Sequence, residues 1–258
     1  MDLALKGKTA LVTGGTKGIG LACARALIAE GVRVVIAGRS QDSVDAALAG
    51  LDGAQGLHAD LRSAEDAARM VEDCRALIGE IDILISSAGA AQRTVPEKLT
   101  PEHWRAAMDA KFFSYINVID PVVKTMAARG AGRIVNIIGA GGKLASPIHL
   151  PGGSANAALM LATAGLAQAY AGEGIRVIGL NPGATRTTRL TEGLKAQAEF
   201  AGTTYEEAER AAASRIPLGR MAEPEEVADM AVFLASDRAS YVTGVTINMD
   251  GAVTATVV

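Results

Sequence analysis

The stretch Thr13-Gly14-Gly15-Thr16-Lys17-Gly18-Ile19-Gly20 directly follows the apolar run Thr9–Val12 and opens an amphipathic segment, Gly18–Glu30. A strand, a glycine-rich turn and a helix in this order are typical of a nucleotide-binding unit. Glycines without side chains permit a tight turn and let a phosphate approach the backbone, and the helix start offers free N–H groups and a positive dipole end. The residues expected to bind the pyrophosphate of a dinucleotide are Gly14, Thr16, Lys17, Gly18, Ile19 and Gly20.

Short apolar runs alternate with amphipathic segments along the rest of the chain. The predicted strands are Thr9–Val12, Arg33–Ala37, Gly56–His58, Ile83–Ser86, Arg133–Ile138, Arg176–Leu180 and Thr246–Asn248. The predicted helices are Gly18–Glu30, Ser43–Ala49, Ala64–Leu77, Pro101–Ala128, Ala155–Ala171 and Pro224–Ala235. Strands separated by such helices indicate repeated βαβ units and a parallel sheet covered on both faces. The sequence therefore predicts an α/β fold class, with residues 1–258 forming a single doubly wound Rossmann-type domain.

One helical segment, residues 187–216, interrupts this alternation. It is inserted before the last βαβ step, after the strand that ends near Leu180. An excursion from the carboxyl end of a strand usually covers the ligand crevice of an open α/β sheet. We therefore expect residues 187–216 to form a helical lid.

Composition excludes several classes of partner. The chain has 258 residues, a formal net charge of −3 and no basic stripe, so nucleic acid is not an expected partner. Met1 to Lys8 lacks a signal-peptide apolar run, and no stretch of roughly 18 apolar residues predicts a membrane span. Cys23 and Cys74 fall in predicted helices. Two buried, reduced thiols in a cytoplasmic protein are expected, with a disulfide as the alternative.

The end of the second predicted strand indicates which nicotinamide cofactor binds. NAD-binding folds usually carry an acidic residue there, which holds the ribose hydroxyls. Here Gly38 stands at that place and Arg39 follows it. Because Lys17 adds a second cation, the pattern favours NADP, with NAD as the alternative. Asp60 ends the third strand and is a candidate acceptor for the adenine amino group. It could instead cap the next helix, a position for which Ser63 competes.

Together these residues resemble the classical short-chain dehydrogenase/reductase family, over Lys6 to Gly251. Beyond the glycine-rich turn, the motifs that carry the resemblance are Ser86-Ser87-Ala88-Gly89, Asn181-Pro182-Gly183 with Thr187 after it, Pro217–Arg220, Pro224–Ala228 and Thr243-Gly244 through Asp250-Gly251. The resemblance implies hydride transfer between a nicotinamide cofactor and a small-molecule substrate. It also implies a homo-oligomer, a tetramer or a dimer. The further cofactor contacts expected are Asp60, Leu61, Ala88, Gly89, Pro182, Gly183, Thr185 and Thr187.

The resemblance fails at the catalytic positions. The family's chemistry uses an Asn, a Ser, a Tyr and a Lys, and the corresponding positions here are Lys111, Gly139, Gly152 and Asn156. Glycine has no side chain that can transfer a proton, and removing a general acid typically costs ~10²–10⁴ in rate. We therefore expect weak or no reduction of ordinary ketones, and a void where the phenol would stand.

The candidate catalytic residues are Lys111, Asn156 and His149. Lys111 occupies the family's Asn position and Asn156 its Lys position, as though the two had been exchanged between packed helices. The exchange predicts that the Lys111 ammonium reaches the space of the usual lysine, with Asn156 accepting a hydrogen bond from it, directly or through one water, and burial lowering its pKa. The alternatives are an interface salt bridge and extension of the side chain to water. Lys111 shares a predicted helical face with Trp104, Met108 and Tyr115.

His149 lies between the family's Ser and Tyr positions, in a loop that faces substrate in that family. It could titrate near neutral pH, although a solvent-facing loop histidine is the alternative. No Cys, His and Asp cluster has metal-ligand spacing, so no metal is expected.

Three functions remain open. The first, which we expect, is an NADP-dependent oxidoreductase with a rebuilt site that acts on a conjugated alkene or an iminium. The second is a non-redox isomerase or lyase that uses the same cleft. The third is an NADP-binding protein without turnover.

Overall fold

The computed structural model describes residues 1–89 and 92–255, without the side chains of residues 196, 197 and 200. Within these residues, seven parallel strands form one sheet in the order β3-β2-β1-β4-β5-β6-β7. The strands are β1 (Thr9–Thr13), β2 (Arg33–Gly38), β3 (Gln55–His58), β4 (Ile83–Ser86), β5 (Gly132–Ile137), β6 (Ile175–Pro182) and β7 (Thr246–Met249). The order reverses between β1 and β4, which is where such sheets bind a dinucleotide. The predicted α/β fold class is confirmed.

The helices cover both faces of the sheet. They are α1 (Gly18–Ala29), α2 (Gln41–Leu48), α3 (Ala64–Ile78), α4 (Pro101–Ala107), α5 (Ser114–Arg129), α6 (Leu150–Tyr170), α7 (Thr188–Ala201), α8 (Tyr205–Ala213) and α9 (Pro224–Ala235). Successive strand residues point to opposite faces. Val12 of β1 therefore packs in the core beneath α1 and α9, whereas its neighbour Leu11 packs in the core beneath α3 and α5.

The predicted helix Pro101–Ala128 is wrong as a continuous element. A π-helical turn, Met108–Phe113, separates α4 from α5. The loop after β4 packs closely against this turn, because a β-carbon on Gly89 would collide with the Ala110 carbonyl oxygen. The hydroxyl of Ser114 donates hydrogen bonds to the carbonyl oxygens of Ala110 and Lys111 and so satisfies the opened turn. A π turn inserts one residue into the helical period, which a 3.6-residue pattern does not detect.

Helix α6 begins at Leu150 and not at Ala155. Pro151 stands in its first turn, where a missing N–H costs nothing. The buried Gly152 therefore lies inside the helix, although glycine pairs in sequence usually indicate a loop.

The expected lid is helical, as predicted. Helices α7 and α8 occupy it, and Leu194, Ile216 and Met221 form its small buried core. Both cysteines are buried and free of disulfides. Across the described residues, no helix has the length and apolar character that a bilayer crossing requires.

Candidate functional site

The glycine-rich turn joins β1 to α1 through backbone contacts that exclude side chains. Gly14 has φ +66°, and a β-carbon there would stand 2.7 Å from the Ser87 carbonyl oxygen. A β-carbon on Gly20 would stand 2.3 Å from the Gly14 carbonyl oxygen. Lys17 is the N-cap residue of α1, yet no side chain caps the helix and no acidic residue occupies its first turn. The start of α1 therefore presents N–H groups and a positive dipole end to an anion.

The ends of β4 and β6 complete the edge of this crevice. The Ser87 N–H donates to the Thr13 carbonyl oxygen, which holds the Ala88–Gly89 segment against β1. Thr187 caps α7, and its methyl group lies 3.2 Å from where a Gly18 β-carbon would stand. The lid thus begins directly against the glycine-rich turn.

Three further positions predicted for the cofactor lie beside this edge. Gly183 follows Pro182 at the end of β6. It packs so closely that a β-carbon on Gly183 would lie 2.9 Å from the Asp250 backbone. Thr185 is buried and pairs with Ala222.

The corner beyond β2 has no room for a carboxylate. A β-carbon on Gly38 would lie 2.6 Å from the Thr16 methyl carbon. Lys17 and Arg39 are exposed, and within the described part of the chain neither forms an ion pair. Two exposed cations and an excluded acid give this corner the character of a phosphate site.

Asp60 does not cap α3. Its carboxylate pairs with Arg62 at 2.6 Å, and the N-cap of α3 is Ser63, whose hydroxyl accepts from the Asp66 N–H. The hydrogen bond from Arg62 is the main cause that lowers the pKa of Asp60, and the charge of Arg39 acts in the same direction. Leu61 beside it is buried.

Lys111 turns inward at the π-helical segment. Its Nζ donates to the Tyr115 hydroxyl at 2.8 Å and to the Ile137 carbonyl oxygen, the end of β5, at 3.0 Å. The Tyr115 hydroxyl donates to the same carbonyl oxygen at 2.5 Å. Burial, and secondarily the charge of Arg189, lowers the pKa of Lys111 from its ordinary 10.5 to about 7. Burial also raises the pKa of Tyr115.

The direct hydrogen bond expected between Lys111 and Asn156 is absent among the described residues, where the ammonium donates to Tyr115 and Ile137. The contact through one water stays a prediction. The side chain is only 8% exposed, so it does not extend to water. Trp104 does not share its buried face, since the π turn rotates Lys111 away and leaves Trp104 exposed.

Asn156 and His149 converge on the glycine loop after β5. A β-carbon on Gly141 would lie 3.1 Å from His149 Cδ2 and 3.6 Å from Asn156 Nδ2. A β-carbon on Gly139 would lie 3.3 Å from the same amide nitrogen. Asn156 is buried, and its Nδ2 makes only a long contact, 3.5 Å, with the Gly139 carbonyl oxygen. Because Gly139 and Gly141 have no side chains, the Asn156 amide and the His149 imidazole have room beside the loop.

His149 is not a solvent-facing loop residue. It is half-buried, and its Nδ1 is buried with no hydrogen-bond partner among the described residues. Burial is the first cause that lowers the pKa of His149, followed by the charges of Arg93, Arg189 and Lys111. Burial and these positive charges favour the neutral imidazole, which can donate from one nitrogen.

Sequence reasoning missed Arg93, Arg189 and the bonding partner Tyr115. Arg189 stands in the first turn of α7, where a cation opposes the helix dipole, and that position was a readable signal. Arg93 offered no such signal.

In the described chain, no group of three His, Cys, Asp or Glu side chains could hold a metal ion.

Comparison with known proteins gives consistent relatives. Residues 14–254 match the family model described as enoyl-(acyl carrier protein) reductase. Gluconate 5-dehydrogenase of Gluconobacter oxydans is 34% identical, over 97% of this chain and 96% of its own. The 3alpha-hydroxysteroid dehydrogenase of Mediterraneibacter gnavus is 33% identical, over 98% and 99%.

A solved structure repeats the whole fold. The L-sorbose reductase of Gluconobacter frateurii, complexed with NADPH and L-sorbose, superposes with a TM-score of 0.94 at 29% identity, covering 100% of both chains. The relatives and the sheet order lead to one assignment: the chain belongs to the short-chain dehydrogenase/reductase family of oxidoreductases.

Proposed function

We propose that this protein is an NADP-dependent oxidoreductase with a non-standard active site. The observation that carries the proposal is the corner formed by Gly38, Thr16, Lys17 and Arg39, which excludes a carboxylate and presents two cations. The L-sorbose reductase structure contains NADPH, which supports the same cofactor here. NADPH bound in this crevice would supply a hydride, and NAD is the weaker alternative.

We propose the remaining contacts for that cofactor by position. The pyrophosphate would be held at the start of α1 by Gly14, Gly18, Ile19 and Gly20, with Thr187 opposite. The adenine would be held by Asp60 and Leu61, and the nicotinamide side by Ala88, Gly89, Pro182, Gly183 and Thr185.

The substrate is one that needs little acid assistance at its oxygen, such as a conjugated alkene or an iminium. With an enone, bound NADPH would supply a hydride to the β-carbon, an enolate would form, and a proton from water would add to its α-carbon to give the saturated ketone. We propose that Asn156 Nδ2, whose contact with the Gly139 carbonyl oxygen is a long 3.5 Å, and His149 hydrogen-bond the enolate oxygen. Preorganised donors of this kind lower barriers by stabilising developing charge. Lys111 holds a titratable proton behind them, at the end of β5.

Cofactor binding tests the first part of the proposal. We expect NADPH to bind more tightly than NADH, and the double substitution Lys17→Ala with Arg39→Ala to remove most of the difference. Each charge-assisted contact should contribute ~1–2 kcal/mol. Isothermal titration calorimetry gives the dissociation constants, with the exposed pair Lys6→Ala and Arg25→Ala as a matched control. Equal native constants for the two cofactors would refute it.

Turnover tests the second part. NADPH oxidation at 340 nm should be measurable with enones or cyclic iminium ions, and weak or absent with simple ketones and β-ketoacyl thioesters. Gly152→Tyr alone should not restore ketone reduction, because catalytic groups that act together are strongly non-additive. Ketone turnover of ~1–10³ s⁻¹ would contradict the proposal. Conversion of a substrate without NADPH consumption would favour the isomerase or lyase. Tight NADPH binding without any turnover would favour the binding protein.

We further propose that residues 1–258 act as one unit in a cytoplasmic homo-oligomer. The free, buried thiols support a reducing compartment. Leu161 on α6 is 77% exposed and Phe113 is 43% exposed, which is typical of residues that pack against another subunit. Sedimentation velocity should give a dimer or tetramer, and a monomer at micromolar concentration would contradict the oligomer.

A further inference from the structure

Asp60 lies on the sheet edge next to the corner that we propose for the 2′-phosphate of NADP. The N–H of Ala59, one residue before it, donates to the Gly38 carbonyl oxygen at 3.0 Å, so the chain that leaves β3 is held against the end of β2. In NADP the 2′-phosphate and the adenine are attached to one ribose. A 2′-phosphate held at the corner of Gly38 and Arg39 would therefore bring the base to the segment that begins at Asp60.

Arg62 fixes the Asp60 carboxylate in position. Its backbone N–H donates to Oδ1 at 3.1 Å, and its Nε donates to the same oxygen at 2.9 Å. Nε also lies 3.1 Å from Oδ2, which accepts from Nη2 at 2.6 Å. A guanidinium fork of this kind fixes the plane of a carboxylate as well as its place. The same hydrogen bond is the main cause that lowers the pKa of Asp60, which favours the ionised form, a group that only accepts.

Asn117 of α5 anchors the turn that carries this pair. Its Nδ2 donates to the Leu61 carbonyl oxygen at 3.0 Å and to the Arg62 carbonyl oxygen at 3.1 Å. Leu61 itself is buried in the core beneath α3 and α5. The Ser63 N–H closes the turn by donating to the Asp60 carbonyl oxygen at 2.9 Å. Because the turn is ordered before a ligand binds, the binding free energy does not include the cost of ordering it.

The fork leaves the carboxylate able to accept a further hydrogen bond. A carboxylate has about four lone-pair sites, and Arg62 occupies those that face its guanidinium and its backbone N–H. The Asp60 side chain is 41% exposed, so the rest of the group is open to a ligand. The amino group of adenine is a donor that this oxygen can accept. Hypoxanthine carries a carbonyl oxygen at the same place, which a carboxylate repels.

We propose that Arg62 and Asn117 are positioning residues that hold the Asp60 carboxylate for a hydrogen bond from the adenine amino group, and so select an adenine dinucleotide. The inference rests on the proposed function, since it concerns the base of the same cofactor. In the competing arrangement, Arg62 occupies the carboxylate and withholds it from the base. The two arrangements predict opposite effects of removing Arg62.

The experiment is calorimetric titration of the cofactor-free protein with NADPH and with reduced nicotinamide hypoxanthine dinucleotide phosphate. We expect the native protein to bind NADPH at least about tenfold more tightly than this analogue, because the analogue loses a hydrogen bond to a charged group. Arg62→Ala and Asn117→Ala should weaken NADPH about tenfold and change the binding of the analogue by less than about threefold. Arg62→Lys keeps the charge without the fork and should give an intermediate preference.

Two further variants make the result specific. Arg69→Ala is the matched control, because the Arg69 side chain is 61% exposed against 60% for Arg62 and also pairs with acidic residues, Glu65 and Asp66. It should leave both dissociation constants unchanged. Asp60→Asn should remove the preference, since a side-chain amide can accept from an amino group or donate to a carbonyl oxygen.

Three results would overturn the inference. The first is equal binding of the two dinucleotides by the native protein. The second is an equal loss for both dinucleotides in Arg62→Ala, which would show that Arg62 only supports the local structure. The third is tighter NADPH binding by Arg62→Ala, which would show that the fork withholds Asp60 from the base. A native protein that binds neither dinucleotide overturns the proposed function too, whereas NADPH binding without a base preference overturns this inference alone.

Discussion

Burial of Lys111 should make the stability of the protein depend on pH in a way that one substitution removes. The pKa of this ammonium is 10.5 in an unfolded chain and falls to about 7 in the fold. Between these values the unfolded chain binds a proton that the native protein has released, so stability rises with pH. At 1.36 kcal/mol for each tenfold change, the native state is penalised by about 4 kcal/mol at pH 7 and about 2 kcal/mol at pH 9.

Lys111→Met removes that penalty and loses two hydrogen bonds, to Tyr115 and Ile137. Each such bond contributes about 1 kcal/mol net, and Tyr115 keeps its own bond to the carbonyl oxygen. The variant should therefore be about 2 kcal/mol more stable than the native protein at pH 7. Its advantage should disappear by about pH 9, because the penalty falls by about 2 kcal/mol over that interval.

The assay is urea unfolding of the cofactor-free proteins at pH 7 and pH 9, at one protein concentration. The difference between variant and native protein isolates residue 111, since all other groups titrate in both. Lys124→Met is the control, because Lys124 lies exposed on α5 and, among the described residues, pairs only with Asp120. Its effect should be the same at the two pH values. A Lys111→Met difference that is the same at both pH values would refute the reasoning.

Three glycine substitutions test the packing of the site, and a fourth, Gly165→Ala, is their control. Gly20→Ala should abolish NADPH binding and cost several kcal/mol in urea unfolding, because its β-carbon would stand 2.3 Å from a carbonyl oxygen. Gly165→Ala has open space around it in α6 and should be neutral or up to about 1 kcal/mol more stable. Gly139→Ser should destabilise by about 1–3 kcal/mol, since φ is +121°, and unchanged unfolding would contradict that. Gly38→Asp should weaken both NADPH and NADH in calorimetry, because Thr16 occupies the space, whereas a clean switch to NADH would show that the corner is adaptable.

The fold was readable from the sequence because its signals are local. Strand and helix periodicity, together with the turn at Thr13–Gly20, predicts all seven strands within a few residues. The start of α6 was not readable, since Gly152 and Gly153 are typical of a loop and only tertiary packing retains them in a helix. The π turn at Met108–Phe113 was also hidden, because a 3.6-residue pattern does not detect it and it packs against Gly89, which is distant in sequence.

The candidate site was predictable in its residues and not in its contacts. Lys111 and His149 stood out by type and place, and their role in one cleft stays a prediction. Sequence positions do not give side-chain directions, so the contacts of Lys111 with Tyr115 and Ile137 were not predicted. The ammonium bonds to a strand carbonyl that no spacing argument could identify. Arg93 needed the fold, because the bond from Thr94 to Ile148 joins segments far apart in the chain.

The close packing of the loop after β5 on α6 has an evolutionary consequence. A β-carbon on Gly142 would lie 2.8 Å from the Ala157 nitrogen, and one on Gly153 would lie 2.8 Å from the Gly141 carbonyl oxygen. A side chain at Gly142 or Gly153 would force the loop after β5 away from α6. Selection should therefore hold these two glycines fixed, whatever residues stand at the neighbouring catalytic positions 139 and 152.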